Sequence, residues 1–100
     1  MLSEKYRLAA KEFCELDAAA NILEELKSAT LSQWMAALGD MPVSKAEMQV
    51  KASPEWRGYI ENMVKARKEA NLAKVKCEWL RMRFQEWSSQ QANERVEKRL

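Results

Sequence analysis

The sequence predicts an all-α fold, a long antiparallel helical hairpin of coiled-coil type with a short helix at the bend. Apolar and small residues recur at steps of three and four from Trp56 toward Glu94. Hydrophobic residues make up 47% of the chain, so there is enough apolar surface to build a core. The sequence has only two Gly and two Pro, and all four lie between Gly39 and Gly58. So few helix-breaking residues, together with this periodicity, are typical of an all-helical or coiled-coil chain.

The C-terminal helix is predicted to run from Pro54 to about Lys98. Ser53 is a good capping residue, Pro54 suits the first helical position, and Glu55 places an acid in the first turn. A seven-residue repeat of this length specifies one long helix with a narrow buried seam. The seam positions are Trp56, Tyr59, Met63, Ala66, Ala70, Ala73, Cys77, Leu80, Phe84, Trp87, Gln91 and Glu94.

The first helix is predicted to run from Ser3 to about Leu38. Ser3 is a typical N-cap residue, and Gly39 is a natural C-terminal stop. Its seam is weakened at Lys27 and Thr30. A second stripe, which includes Ile22, Leu26 and Ala29, lies beside the first, and a helix that is apolar over two stripes usually covers more than one neighbour.

The connector, residues 39–53, is predicted to contain a short helix from Ala46 to Lys51. Ser44 and Glu47 have the spacing of a capping box. Large flexible and aromatic residues also collect around this bend, and they are expected to close that end of the hairpin or, alternatively, to form an adaptable docking surface. They are Trp34, Met35, Met41, Met48, Trp56 and Met63.

Two long helices joined by a short connector are expected to fold back on each other, and their seams can be aligned from the bend outward. Large residues then meet at both ends of the hairpin and small residues meet in the middle. The expected pairs are Trp34 with Trp56, Ala20 with Ala70, Phe13 with Cys77, and Tyr6 with Phe84. Cys14 also comes close to Cys77, but we expect both thiols to be reduced in a cytoplasmic chain.

In this alignment the N-terminus of the first helix lies near Trp87 of the second, so residues 88–100 are expected to project beyond the hairpin. Several large apolar side chains also remain uncovered, and burying each is worth about 1.5–3 kcal/mol. We therefore expect a homodimer, most simply a four-helix arrangement. The uncovered residues are Ile22, Leu26, Val64, Val75, Trp79 and Met82.

Charge is unevenly distributed along the chain. Residues 1–40 carry four basic and seven acidic side chains, whereas residues 54–100 carry eleven basic and seven acidic ones. Arg67, Lys74 and Arg81 are spaced by sevens and share one face, which could follow a phosphate backbone, while nearby Trp residues could stack on an unpaired base. The candidate nucleic-acid-binding residues are Arg67, Lys74, Arg81, Arg83, Trp79 and Trp87.

An ordinary solvated helix face explains the same charges. Long helices usually carry Lys and Arg on their outer surface, and an acidic first helix can pair with a basic second one. The formal net charge of the whole chain is only +2, well below that of a dedicated nucleic-acid binder. Both interpretations remain open from the sequence.

The residue types argue against catalysis. The chain has no His, which removes the commonest general base and the commonest metal ligand. No phosphate-binding loop, zinc spacing or nucleophile elbow occurs. We therefore expect no enzymatic activity, no metal and no cofactor. No apolar run is long enough for a membrane span or a signal peptide, so the expected location is the cytoplasm.

Two stretches resemble small helical proteins encoded by bacteriophages and prophages. One runs from Ala46-Glu47-Met48-Gln49 to Ser53-Pro54-Glu55-Trp56, and the other is Glu86-Trp87-Ser88-Ser89-Gln90-Gln91-Ala92-Asn93-Glu94-Arg95. In that pattern an aromatic residue precedes an Arg-Ser or Ser-Ser pair, followed by Gln-Ala-x-x-Arg, and Ser88 stands where an Arg is common. Such proteins tend to be encoded among phage recombination and replication functions, in a bacterial host cell.

The resemblance implies a phage accessory protein that acts by binding. It could assist DNA recombination or replication by contacting single-stranded or duplex DNA, or a recombinase through the projecting tail. Alternatively, it could inhibit a host nuclease or CRISPR effector by protein–protein binding, or serve as a purely structural dimeric scaffold. The candidate partner-binding residues are Gln90, Gln91, Asn93 and Arg95.

Overall fold

The computed structural model describes residues 1–99, which form an elongated helical hairpin. Its helices are α1 (Leu2–Glu25), α2 (Lys27–Ala37), α3 (Val43–Lys51) and α4 (Pro54–Arg99). α1 packs along α4, so the predicted all-α hairpin is confirmed. The molecule measures 83 × 17 × 17 Å with a radius of gyration of 23.0 Å, whereas a compact chain of this length has about 13 Å. The hairpin is therefore a rod, and most side chains lie close to its surface.

The first helical segment is divided at Leu26, where one uninterrupted helix was predicted. The hydrogen-bond ladder continues on both sides, from Leu26 N–H to Ile22 O (3.0 Å) and from Thr30 N–H to Leu26 O (2.8 Å). Beyond this residue the backbone of α2 packs on α3 rather than on α4. The break coincides with Lys27 and Thr30, where the seam loses its apolar side chains and no longer favours packing against α4.

Two of the predicted caps are not formed. α1 begins at Leu2 with Met1 as its N-cap, so Ser3 lies inside the first turn and is not the cap residue. α3 begins at Val43 with Pro42 as its N-cap and has no side-chain capping bond, so the expected capping box of Ser44 and Glu47 is absent. Pro42 already sets an extended backbone before the helix, which moves the start ahead of Ser44.

The predicted start of the long helix is correct. Ser53 Oγ accepts a hydrogen bond from the Trp56 backbone N–H at 3.2 Å, as an N-cap hydroxyl should. Gly39 has φ +89°, the left-handed conformation that ends a helix, and its N–H donates to Ala36 O. These two residues delimit the bend that contains α3.

The contacts between α1 and α4 agree with the predicted register. Ala20 and Ala70 are both fully buried (0% exposed), consistent with close approach of the backbones at the middle of the hairpin. Phe13 packs against a cluster formed by Ala9, Cys77 and Leu80. At the bend, the rings of Trp34 and Trp56 lie 5.8 Å apart. At the opposite end, Tyr6 and Phe84 line the same groove.

Candidate interaction surfaces

An ionic cluster joins the two helices along one edge of the hairpin. Asp17, Asn21 and Glu24 lie one turn apart on α1 and together face Arg67 on α4. The Arg67 guanidinium donates to Asp17 Oδ1 (2.7 Å), to Asn21 Oδ1 (2.6 Å) and to both oxygens of Glu24 (3.0 Å each). Such forked contacts with a carboxylate are the strongest that an Arg side chain makes. The cluster therefore links α1 to α4 at one position.

This geometry changes the interpretation of Arg67. The hydrogen bonds to Glu24 and then to Asp17 raise the pKa of Arg67 above its usual value, so the guanidinium is held as a cation within the hairpin. Binding a phosphate would require it to leave these partners. We therefore assign Arg67 to holding the hairpin together and remove it from the nucleic-acid-binding set.

The remaining candidates for nucleic-acid binding lie on two different sides of α4. Lys74 and Arg81 follow Arg67 along one edge, whereas Trp79 and Arg83 are rotated from them by about 140–180° at 100° per residue. Arg83 stacks on Trp79, with Cζ 5.6 Å from the ring centroid. The six residues therefore do not form one surface. Only Arg67, Lys74 and Arg81, which are spaced by seven residues, lie on the same face of α4.

The open end of the hairpin brings aromatic and cationic side chains together. Tyr6, Arg81 and Phe84 line one groove, and Phe84 and Trp87 line the next with Met1 and Leu2. The rings of Phe84 and Trp87 lie 6.0 Å apart. All three aromatic residues are exposed, and Trp87 is 52% exposed. We call Tyr6, Arg81, Phe84 and Trp87 the open-end patch.

Sequence reasoning assigned Tyr6 and Phe84 to the buried seam and missed their exposure. Their spacing places both residues in the seam. Tyr6, however, lies in the first turns of α1, and Phe84 lines the same groove, so few neighbouring side chains cover either ring. The seam alignment could have revealed this exposure, because the first helix has no residues left to cover α4 beyond about Trp87. For the Arg67 cluster the register gives only part of the signal: it places Asp17 and Glu24 on the same flank of the first-helix seam, but it does not say which cation they bind.

The candidate partner-binding residues lie on the part of α4 that extends past the open-end patch. Residues 88–98 are exposed apart from Gln91, which is half-buried. Gln90, Asn93 and Arg95 therefore face solvent on a continuous helix. The predicted projection of this segment beyond the hairpin agrees with the structure, and we call residues 88–98 the helical extension.

The exposed side of α4 carries a second apolar stripe. Leu72, Val75, Trp79 and Met82 are spaced by three, four and three residues and are 56–61% exposed. We call these four residues the outer stripe. On the side of the hairpin, Trp79 also lines a groove with Leu8, near the ion pair of Glu12 and Lys76 (3.7 Å).

The aromatic residues at the bend pack against one another. Trp56 is 6% exposed and its ring stacks on Tyr59 at 5.5 Å, while Trp34 meets both rings edge-on. The Tyr59 hydroxyl donates to the Leu23 backbone carbonyl, which ties α4 to the end of α1. This packing supports the closing role of the bend residues; Met48 alone among the bend methionines is strongly exposed.

The two thiols have different environments. Both are free; Cys14 is exposed and Cys77 is buried in the seam. Burial raises the pKa of Cys77 above the ordinary value of 9.0, which keeps it protonated at neutral pH. Cys77 thus packs as a small apolar side chain rather than as a nucleophile.

Residues 1–99 lack two features. None of the helices in this range combines the length and apolar character needed to cross a bilayer. Nor does this range contain a cluster of three or more acidic, Cys or His side chains placed to hold a metal ion. Comparison of the chain with protein-family models, curated proteins and solved structures yielded no match.

Proposed function

We propose that this protein is a non-enzymatic accessory protein that binds a protein partner through the open-end patch and the adjoining helical extension. The observation that carries the proposal is the exposure of three aromatic rings at the open end, two of which, Tyr6 and Phe84, line a groove with Arg81. Aromatic residues and Arg are the side chains that contribute most to protein–protein affinity, especially when they form one cluster.

The charges of the helical extension favour a protein partner over a nucleic acid. Residues 88–100 carry two acidic side chains, Glu94 and Glu97, and three basic ones, Arg95, Lys98 and Arg99, a net charge of only +1. A surface with this balance does not follow a phosphate backbone, which requires an excess of cations. Its amides and charged groups suit the polar rim of an interface whose centre is the open-end patch.

The resemblance of the C-terminal segment to phage proteins directs the search for the partner. We propose a phage recombination or replication protein, with a recombinase as the first candidate. A host nuclease or CRISPR effector is the alternative partner of the same patch. Both candidates are proteins, so one binding experiment compares them.

The test uses the full chain as bait for purified phage recombinases and host defence nucleases, with affinity measured by interferometry. Trp87→Ala and Phe84→Ala should each weaken binding at least about tenfold, as loss of a central aromatic contact does. Met48→Ala is the matched control, since Met48 is an exposed apolar residue at the opposite end of the rod. Binding that is insensitive to the patch variants, or equally sensitive to Met48→Ala, would refute the proposed site.

A second candidate function is single-stranded DNA binding, favoured by one specific feature. Lys74 and Arg81 lie along the same edge of α4 and lead toward the exposed rings of Phe84 and Trp87, on which bases could stack. Binding of a labelled oligonucleotide should then be strongest at low salt and fall steeply as salt rises. The double variant Lys74→Glu/Arg81→Glu should abolish it, whereas Lys45→Glu on α3 should not.

We also propose that the protein is a homodimer. The outer stripe supports this, because its four large apolar side chains are 56–61% exposed, and covering them would be favourable. If neither the protein candidates nor DNA bind, we would conclude that the protein is a purely structural dimeric scaffold.

A further inference from the structure

The outer stripe has opposite charges at its two ends. Lys68 precedes Leu72 by four residues, and Glu86 follows Met82 by four residues. Lys68 and Glu86 are eighteen residues apart, which corresponds to five turns of about 3.6 residues, so both lie on the line of the stripe. Both are exposed. The outer face of α4 thus carries a cation, four apolar side chains and an anion in order.

The order of these residues is symmetric about position 77. Leu72 and Met82 are equally far from that position, as are Val75 and Trp79, and so are Lys68 and Glu86. A two-fold axis at this position exchanges the two ends of the stripe. It therefore places apolar residues against apolar residues and each Lys68 against a Glu86.

A parallel pairing has the opposite electrostatic result. It would put Lys68 beside the Lys68 of a second copy and Glu86 beside the other Glu86. Like charges that face each other across a helical interface are unfavourable, and opposite charges at such flanking positions select orientation. The charge pattern is complementary to itself only in the antiparallel orientation.

We infer that two copies of this chain pair through the outer stripes of α4, antiparallel and centred near residue 77, with Lys68 of each copy opposite Glu86 of the other. This inference rests on the proposed homodimer and adds its surface and orientation. The two α1 helices lie on the outside of the resulting four-helix assembly. Residues beyond Glu86 of one copy then extend along the segment of α4 that precedes Lys68 in the other copy.

The arrangement leaves the ionic edge and the groove of the open-end patch accessible. The Arg67 cluster and the groove of Tyr6 and Arg81 lie on the side of α4 away from the outer stripe. The assembly would present two open-end patches, one on each side of the two-fold axis, with Phe84 and Trp87 roughly 10–15 Å from it along α4 at about 1.5 Å per residue. A partner could therefore bind each patch, while the two bends lie at the ends of the rod.

Charge reversal tests the orientation, with the dimer dissociation constant measured by sedimentation equilibrium at low salt. Lys68→Glu and Glu86→Lys should each raise Kd at least about tenfold, because each creates two like-charge contacts. The double variant Lys68→Glu/Glu86→Lys should restore the original Kd. Lys45→Glu changes the net charge of the chain as Lys68→Glu does, but lies on α3, and should leave Kd unchanged.

Each alternative result has a distinct meaning. A monomer at all concentrations, with helix content intact by circular dichroism, would overturn both the homodimer and the pairing inferred from it. A dimer whose Kd is insensitive to both single variants would overturn the antiparallel arrangement and leave the homodimer standing. Equal mixtures of Lys68→Cys and Glu86→Cys chains, each with Cys14→Ser, should form mixed disulfides in preference to disulfides between identical chains. Formation of only like-with-like disulfides would also overturn the arrangement.

Discussion

Arg67 on α4 reaches across the hairpin to Asp17 on α1, with Nη1 2.7 Å from Oδ1. The same guanidinium also holds Glu24, which lies two turns further along α1. One side chain thus contacts two carboxylates of the opposite helix, and sliding the helices by one heptad would separate them. In a seam with small residues at its middle, such a contact selects one register among similar alternatives.

Replacing Arg67 with Met should lower the melting temperature, because the carboxylates of Asp17 and Glu24 then lose their common cation. The loss should be larger at low salt than at high salt, since the cluster is partly exposed and is screened by ions. Lys74→Met is the matched control, because Lys74 occupies the same edge one heptad later. Equal effects of the two substitutions, measured by thermal circular dichroism, would show that the Arg67 cluster has no specific role.

Enlarging a small side chain at the middle of the hairpin should destabilise the fold. Ala20 is fully buried between the helices, so Ala20→Leu should cost about 1–3 kcal/mol through overpacking. Ala18→Leu makes the same chemical change on the exposed side of α1 and should leave the free energy of unfolding nearly unchanged. Urea denaturation measures both variants. An Ala20→Leu variant as stable as the native chain would mean that the helices do not approach closely there.

The bend should depend strongly on Trp56. Trp56→Ala removes a 6% exposed ring that stacks on Tyr59, and it should cost about 3–5 kcal/mol. Trp87→Ala removes the same side chain from the open-end patch, where the ring is half exposed, and should cost much less. Denaturation of the two variants by urea distinguishes them. If the Trp87 variant were the less stable, the bend would not be the main aromatic core.

The two cysteines should differ in reactivity. Cys14 is exposed, whereas Cys77 is buried with a raised pKa, so iodoacetamide at pH 8 should modify Cys14 first. Both should react in denaturant, and peptide mass spectrometry identifies the modified residue. Equal rates in the native protein would contradict burial of Cys77.

The raised pKa of Cys77 also predicts a direction for stability at alkaline pH. The folded chain retains the thiol proton at a pH where the unfolded chain, with an ordinary value of 9.0, loses it. This contribution is fully present below pH 9.0 and is lost as the pH rises through the folded-state pKa. Cys77→Ala should flatten this part of the pH profile, measured by urea denaturation, whereas Cys14→Ala should not.

The open-end patch shows the limit of reasoning from spacing. Tyr6 and Phe84 have the seam positions of buried residues, and the sequence correctly pairs them. Their exposure depends on how far α1 extends along α4, which is a property of the whole hairpin. The Arg67 cluster shows a second limit. A basic stripe in the sequence does not indicate which of its cations are already bound by carboxylates of the other helix.

The sequence by itself determined the helices and the pairing of their seams. Heptad spacing, the Ser53-Pro54 start and the Gly39 stop act over a few residues, so local physics suffices to read them. Tertiary structure decided the break at Leu26, the capture of Arg67 by α1, and the exposure of Tyr6 and Phe84. Each of these depends on contacts between segments far apart in the chain, where the packing of the opposite helix determines what every side chain can reach.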